Sequence, residues 1–134
     1  MIKTRTFPNS GGLAVTTWEV AQAFAALCAE GKHEEAGDRF WAPDVVSLEA
    51  AQGDGFGRAE GAAAVRAKGE WWAENHEVHG TRVDGPWPHG DQFALRFWMD
   101  VTPKGGARMQ MDEIGLYTVR DGKIVEERFF YSTA

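Results

Sequence analysis

At 134 residues, with 43% hydrophobic and 25% charged side chains, the chain has the size and composition of one globular domain with a sizeable core. A formal charge of −6, with fourteen scattered basic residues, argues against a nucleic-acid partner. No apolar run approaches the length needed to span a membrane. Residues 1–15, which hold Pro8, Gly11 and Gly12, predict an irregular lead-in, and residues 16–134 a single domain. Thr16 and Glu19 carry the spacing of a capping box. Val20, Ala21, Phe24, Leu27 and Cys28 then recur at helical spacing, and Gly31 ends that helix. A shorter helix follows over about 33–41, stopped by Pro43. A strand is expected over 45–50 and a glycine-kept loop over 53–57. From about 60 to 75 a third helix shows one stripe of Ala62, Val65, Gly69, Trp72 and His76. Strands take over from there. The segment 79–83 runs into a break at Gly85 and Pro86, 93–102 alternates, and 103–106 is a hairpin loop. The pair 109–119 and 124–131 is joined by a turn containing Asp121 and Gly122. Helices first and antiparallel strands afterwards predict an α+β fold with helices covering one face of a curved sheet.

Three of these strand-like segments each place a glutamate among apolar neighbours: Glu49, Glu113 and Glu127. By strand alternation Glu113 shares a face with Met109, Met111, Tyr117 and Val119, and Glu127 shares one with Val125, Phe129 and Tyr131. With the opposite phase, Asp112 or Glu126 faces inward instead. Ionised carboxylates in apolar surroundings are paired, hydrogen-bonded, protonated or lining a cavity. The pattern therefore points to a cavity holding acid/base groups.

Six tryptophans and eight phenylalanines bring aromatic content to 12%. Trp72, Trp98, Tyr117, Phe129 and Tyr131 are candidates for an aromatic wall around a flat apolar ligand, against the plainer alternative of core filling or a subunit face. His76 lies near the end of the third helical stripe and is a further acid/base candidate. His76 and His79 resemble a metal spacing only superficially, since the helix ends between them, so no metal is expected. The loop over 53–57 lacks the lysine of a phosphate cradle, and no cofactor is implied. Cys28, the single cysteine, excludes an internal disulfide and sits on an apolar helix face, as a structural thiol would. With no apolar leader at the start of the sequence, a cytoplasmic protein is expected.

The segments 40–49 and 57–66, with 116–124 and 129–131, resemble the SnoaL-like polyketide cyclase family of the nuclear-transport-factor-2-like superfamily and, more distantly, ketosteroid isomerase. The resemblance covers 16–131. It implies a cone of three helices on a strongly curved, mainly antiparallel sheet enclosing a pocket, and a homodimer formed through the outer sheet face. Its members include isomerases, cyclases, dehydratases and proteins without catalysis, so it is specific for fold and poor for function. Glu49 falls where isomerase-like members carry a proton-shuttling aspartate. Their oxyanion-binding tyrosine corresponds to Phe24, which can donate nothing and is expected only as a substrate-binding residue, and their second donor falls near Glu113 or Gly115. Tyr131 stands where the family places a pocket residue. The resulting expectation is a cofactor-free enzyme moving protons on a small apolar carbonyl or polyketide-like molecule. Glu49 would be the base, Glu113 or Glu127 would hold the second proton, and His76 would stand in reserve. The alternative is a non-catalytic module binding a small apolar or aromatic molecule. Epoxide hydrolysis ranks last, for want of an Asp-Arg-Asp trio.

Overall fold

The computed structural model describes residues 8–9, 12–13, 15–51 and 57–132, so all of the expected 53–57 loop except Gly57 lies outside it. Within the lead-in, β1 (Pro8–Asn9) pairs antiparallel with β2 (Gly12–Leu13). Helix α1 (Thr17–Ala29) opens on the expected capping box: Thr16 Oγ1 accepts from the Glu19 backbone N–H at 3.1 Å, and the Glu19 carboxylate reaches back. Val20, Ala21, Phe24, Leu27 and Cys28 are buried along one face of it. Helix α2 (His33–Phe40) leads directly into β3 (Trp41–Leu48), which starts earlier than the pattern suggested. A short strand not anticipated in the sequence, β4 (Arg58–Glu60), precedes α3 (Ala62–Glu74).

The expected break at Gly85 does not end its strand. Strand β5 runs unbroken from His76 to His89, with register shifts between Val78 and Gly80 and between Asp84 and Trp87. A bulge is where a sheet tolerates proline, which explains how Pro86 sits inside a strand. Strands β6 (Gln92–Pro103), β7 (Met109–Arg120) and β8 (Lys123–Phe130) complete an antiparallel meander.

The six-stranded sheet has the order β4-β3-β8-β7-β6-β5. It is mixed, because β3 pairs parallel with β8 while every other pair is antiparallel. The sheet does not close. The core lies between its inner face and the helices: Phe24 and Phe40 meet Phe93, Leu95, Phe97, Tyr117, Val119 and Ile124. One expected face assignment changes. A register shift between Thr118 and Val119 places Ile124, rather than Val125, fully in the core, and the inward phase resumes at Glu127. Among the described residues no helix is long and apolar enough to cross a membrane.

Candidate functional site

Glu127 is the anchor of a hydrogen-bonded chain on the inner sheet face. It is 5% exposed, and it survives burial because two donors meet it: Trp41 Nε1 at 2.9 Å and Ser47 Oγ at 2.8 Å. The parallel register Ser47↔Glu127 brings these two residues side by side. Lys68, on α3, donates to Ser47 Oγ and to Glu49 Oε2, each at 2.5 Å. The Glu49 carboxylate also accepts from the Tyr131 hydroxyl at 3.0 Å. Lys68 Nζ lies 5.3 Å above the Phe129 ring, a cation–π arrangement that helps hold an ammonium in a partly dry place. The sequence thus converges Trp41, Ser47 and Glu49 from β3 and its end, Lys68 from α3, and Glu127, Phe129 and Tyr131 from β8 and its end.

Glu113 faces the same interior. Gly115, Tyr117 and Val119, which follow it at alternate positions of β7, are all buried, whereas Asp112 points outward into a two-bond pairing with Arg96 at 3.0 and 2.6 Å. Glu113 makes no hydrogen bond or ion pair with any described residue. Burial, then the charge of Glu49, pushes its carboxyl up to about 7, and Lys68 only partly offsets this. Glu127 is likewise raised, chiefly by burial, while its hydrogen bond from Ser47, the Lys68 charge and its hydrogen bond from Trp41 pull it back.

The other expected site residues divide. Phe129 and Tyr131 border the cluster, as just described. Tyr117 lies beside it at 2% exposure, its ring stacked on Phe93 and tilted against Phe24, both with centroids 4.9 Å away. Phe24 is a core residue, 4% exposed and enclosed by Phe40, Phe93 and Tyr117, so it has no ligand-facing surface to offer. Trp98 projects from the opposite face of β6, level with Asp112 and Arg82, and is not part of the inner wall. His76 stacks on Trp72 with ring centroids 4.2 Å apart and donates through Nδ1 to the Trp72 carbonyl at 2.7 Å. No hydrogen bond or ion pair among the described residues links it to the glutamates.

Sequence reasoning missed Lys68, Ser47 and Trp41. Lys68 stands three residues after Val65 and four before Trp72, one position before Gly69, which the stripe includes and which is exposed. Ser47 alternates with Val45 and Glu49 on one strand face, a pattern that was available to be read. His33, at the start of α2, is a further titratable group, with no hydrogen bond or ion pair to the cluster among the described residues. Its ring sits 6.5 Å from that of Phe97, and burial holds its imidazole below the ordinary range although the residue as a whole is exposed. An open depression of about 470 Å³ borders the cluster, lined by Glu49, Arg58, Arg128, Phe129 and Phe130 among others. A second, of about 320 Å³ between α1 and β5, holds no acid or base. Among the described residues no group of three or more His, Cys, Asp or Glu side chains is arranged to hold a metal.

A family model for the SnoaL-like domain matches residues 15–131. This chain belongs to the SnoaL-like family. The SnoaL-like protein is 51% identical to a protein of the SnoaL-like polyketide cyclase type from Mesorhizobium loti, over 87% of this chain and 100% of that one, with a TM-score of 0.85. At fold level it is similar to a nuclear-transport-factor-2-like protein from Burkholderia pseudomallei (15% identity, 87% and 91% of the chains, TM-score 0.68). It also matches a protein of ketosteroid-isomerase-like fold from Catenulispora acidiphila, solved with trimethylamine (21% identity, 88% of each chain, TM-score 0.67). No curated protein matches the sequence.

Proposed function

We propose that this SnoaL-like protein is a cofactor-free acid/base enzyme that moves a proton on a small, apolar carbonyl or polyketide-like molecule, in the manner of an isomerase, cyclase or dehydratase. One observation carries the reading. Three glutamates from separate segments converge around Lys68, and one of them, Glu113, makes no hydrogen bond or ion pair with any described residue. A carboxyl pushed up to about 7 is poised both to give and to take a proton at neutral pH. Glu113 is therefore the proton-handling group. Glu49 is engaged by Lys68 and Tyr131. Glu127 holds the Lys68–Ser47 arrangement in place. His76 takes no part in this scheme.

The carboxyl carbon of Glu113, followed by NMR across the pH range, should titrate near neutrality, and an ordinary carboxylate value would end the proton-transfer reading. Activity is checked separately by following deuterium uptake at the α-carbon of ketones, with Glu113→Gln as control. The competing account is a module that binds without turnover. The Catenulispora acidiphila protein was solved with trimethylamine, which supports accommodation of a small organic molecule by this fold whether or not chemistry follows. Binding without exchange in any ketone tried would favour that account.

A homodimer through the outer sheet face completes the proposal. Ile114 and Phe130 are paired neighbours there, 36% and 49% exposed, and ion pairs such as Arg96–Asp112 frame them. Such an apolar centre with a charged rim is the usual anatomy of a subunit contact.

A further inference from the structure

We propose that the open depression at the rim of the outer sheet face is a binding site for an aromatic carboxylate. The inference goes beyond the proton-transfer reading and does not depend on it. Its basis is a row of cross-strand partners. Arg58 on β4 and Arg128 on β8 both pair with Leu48 on β3, one from each side. Direct partners in adjacent strands point to the same face, so the two arginines flank one leucine. That face is the outer one, because the preceding pair, Ser47 and Glu127, points inward. All three residues line the depression of about 470 Å³, a volume suited to a small aromatic molecule.

Both cations have bonding capacity that the fold leaves unused. Arg128 makes no hydrogen bond with any described residue, and its ion-pair partner, Glu126, stands 3.9 Å off. Arg58 gives only its Nε to Glu60, at 2.6 Å. Elsewhere on this sheet arginines are treated differently: Arg96 and Arg108 each meet an aspartate through two nitrogens. The register explains the arrangement. Glu60 and Glu126 both pair with Val46, so these acids form a second row, one outer-face step behind the arginines. Neither acid lines the depression. With side chains 56% and 47% exposed, Arg58 and Arg128 keep N–H groups for solvent or for a ligand.

The lining sets the class of ligand. Glu49 is the one acid in it, and Lys68 already meets that carboxylate at 2.5 Å, so the charge presented is positive. A guanidinium offers a planar fork that matches a carboxylate, and here two of them approach from opposite sides. Leu48, 8% exposed, lies between them, and Phe129 and Phe130 add aromatic surface. These apolar groups favour a flat body attached to the charge over a bare anion. Strand β4 is an edge of the sheet, so the row ends at its margin, three strands from Ile114 on β7. Phe130 is common to the depression and to the proposed subunit contact, so a second copy seated there would border the site.

Naphthoate tests the proposal in a calorimetric titration at neutral pH and low ionic strength. Naphthamide serves as its neutral counterpart, naphthylmethylamine as a cation, and acetate and inorganic phosphate as bare anions. Naphthoate should bind, the others should bind about tenfold more weakly or less, and added salt should lower the affinity. Arg128→Gln and Arg58→Gln should each weaken naphthoate binding by about tenfold, since each removes a charge-assisted contact. Both side chains are half-exposed, so urea midpoints should stay near that of the parent and show an intact fold. The methyl resonances of Leu48 should shift on binding. The proposal is overturned if naphthoate does not bind, if the amide, the amine or phosphate binds as tightly, or if both arginine variants bind naphthoate unchanged. It is equally overturned if Glu113→Gln abolishes binding that Arg128→Gln leaves intact, because the ligand would then sit at the interior carboxylates.

Discussion

Replacing Glu113 with glutamine keeps the shape of the side chain and removes its titration, so it isolates what burial of this carboxyl does to the fold. In the unfolded chain the group titrates near 4.5, and in the folded chain at about 7. Below both values each state holds the proton and no penalty exists. Between them the unfolded chain releases its proton while the folded one keeps it, so the parent loses stability as pH rises. Above about 7 the loss is complete. At roughly 1.36 kcal/mol per tenfold change in proton affinity, that loss amounts to about 3 kcal/mol. Glutamine escapes it. Urea denaturation should therefore find Glu113→Gln and the parent nearly equal at about pH 4.5, and the variant more stable by about 2–3 kcal/mol at about pH 8.5. A difference between the two proteins that did not change with pH would refute the burial argument. So would a variant that became relatively weaker on the alkaline side.

Other perturbations follow from the same arrangement. Lys68→Met removes the ammonium that meets Glu49 and Ser47; with side chains only 13% and 23% exposed, the Lys68–Glu49 pair should be worth about 2–3 kcal/mol at neutral pH, as read by urea midpoints. Gly115→Ala drives a methyl group to within 2.9 Å of the Tyr117 ring and 3.1 Å of Phe97, and thermal unfolding should show a loss of about 1–3 kcal/mol. Phe130→Arg should turn a dimer into a monomer in sedimentation without unfolding it, and a parent protein that sediments as a monomer would remove the outer-face proposal. Cys28, 2% exposed and with its thiol pushed up to about 12 by burial, should resist thiol reagents until the protein is unfolded.

The fold was legible because its signals are local. The capping box at Thr16, the stripe from Val20 to Cys28 and the turn at Asp121 and Gly122 each rest on neighbours a few residues apart. Strand alternation also put Glu113 and Tyr117 on one face, where the structure has them. The candidate site was legible only in part. Glu49 and Glu127 do meet through Ser47 and Lys68, but the meeting depends on the parallel register Ser47↔Glu127, which no periodicity encodes. Lys68 was invisible because a lysine on an apolar stripe reads as an interruption until its partners are known. Two expected substrate-binding residues lie apart from the cluster for different reasons. Trp98 lies in the outward phase of β6, and Phe24 is enclosed by other rings. Sequence shows that an aromatic is buried or half-buried, not which side of a sheet a ligand uses.

The parallel pairing of β8 with β3 also sets an order of events. The last strand in the sequence is not an edge but the second neighbour from one, inserted between β3 and β7. During synthesis β5, β6 and β7 can pair as a meander, and β3 and β4 can pair with each other, but no strand pairing joins the two groups until β8 arrives. Until then β3 and β7 each present an unpaired edge, the kind of surface that recruits other chains. Trp41, Ser47 and Lys68 meanwhile have no Glu127 to meet. Cohesion of the sheet and assembly of the carboxylate cluster thus become a single late event. A chain shortened ahead of Lys123 would have its sheet in two pieces, joined only through the helices that pack on both.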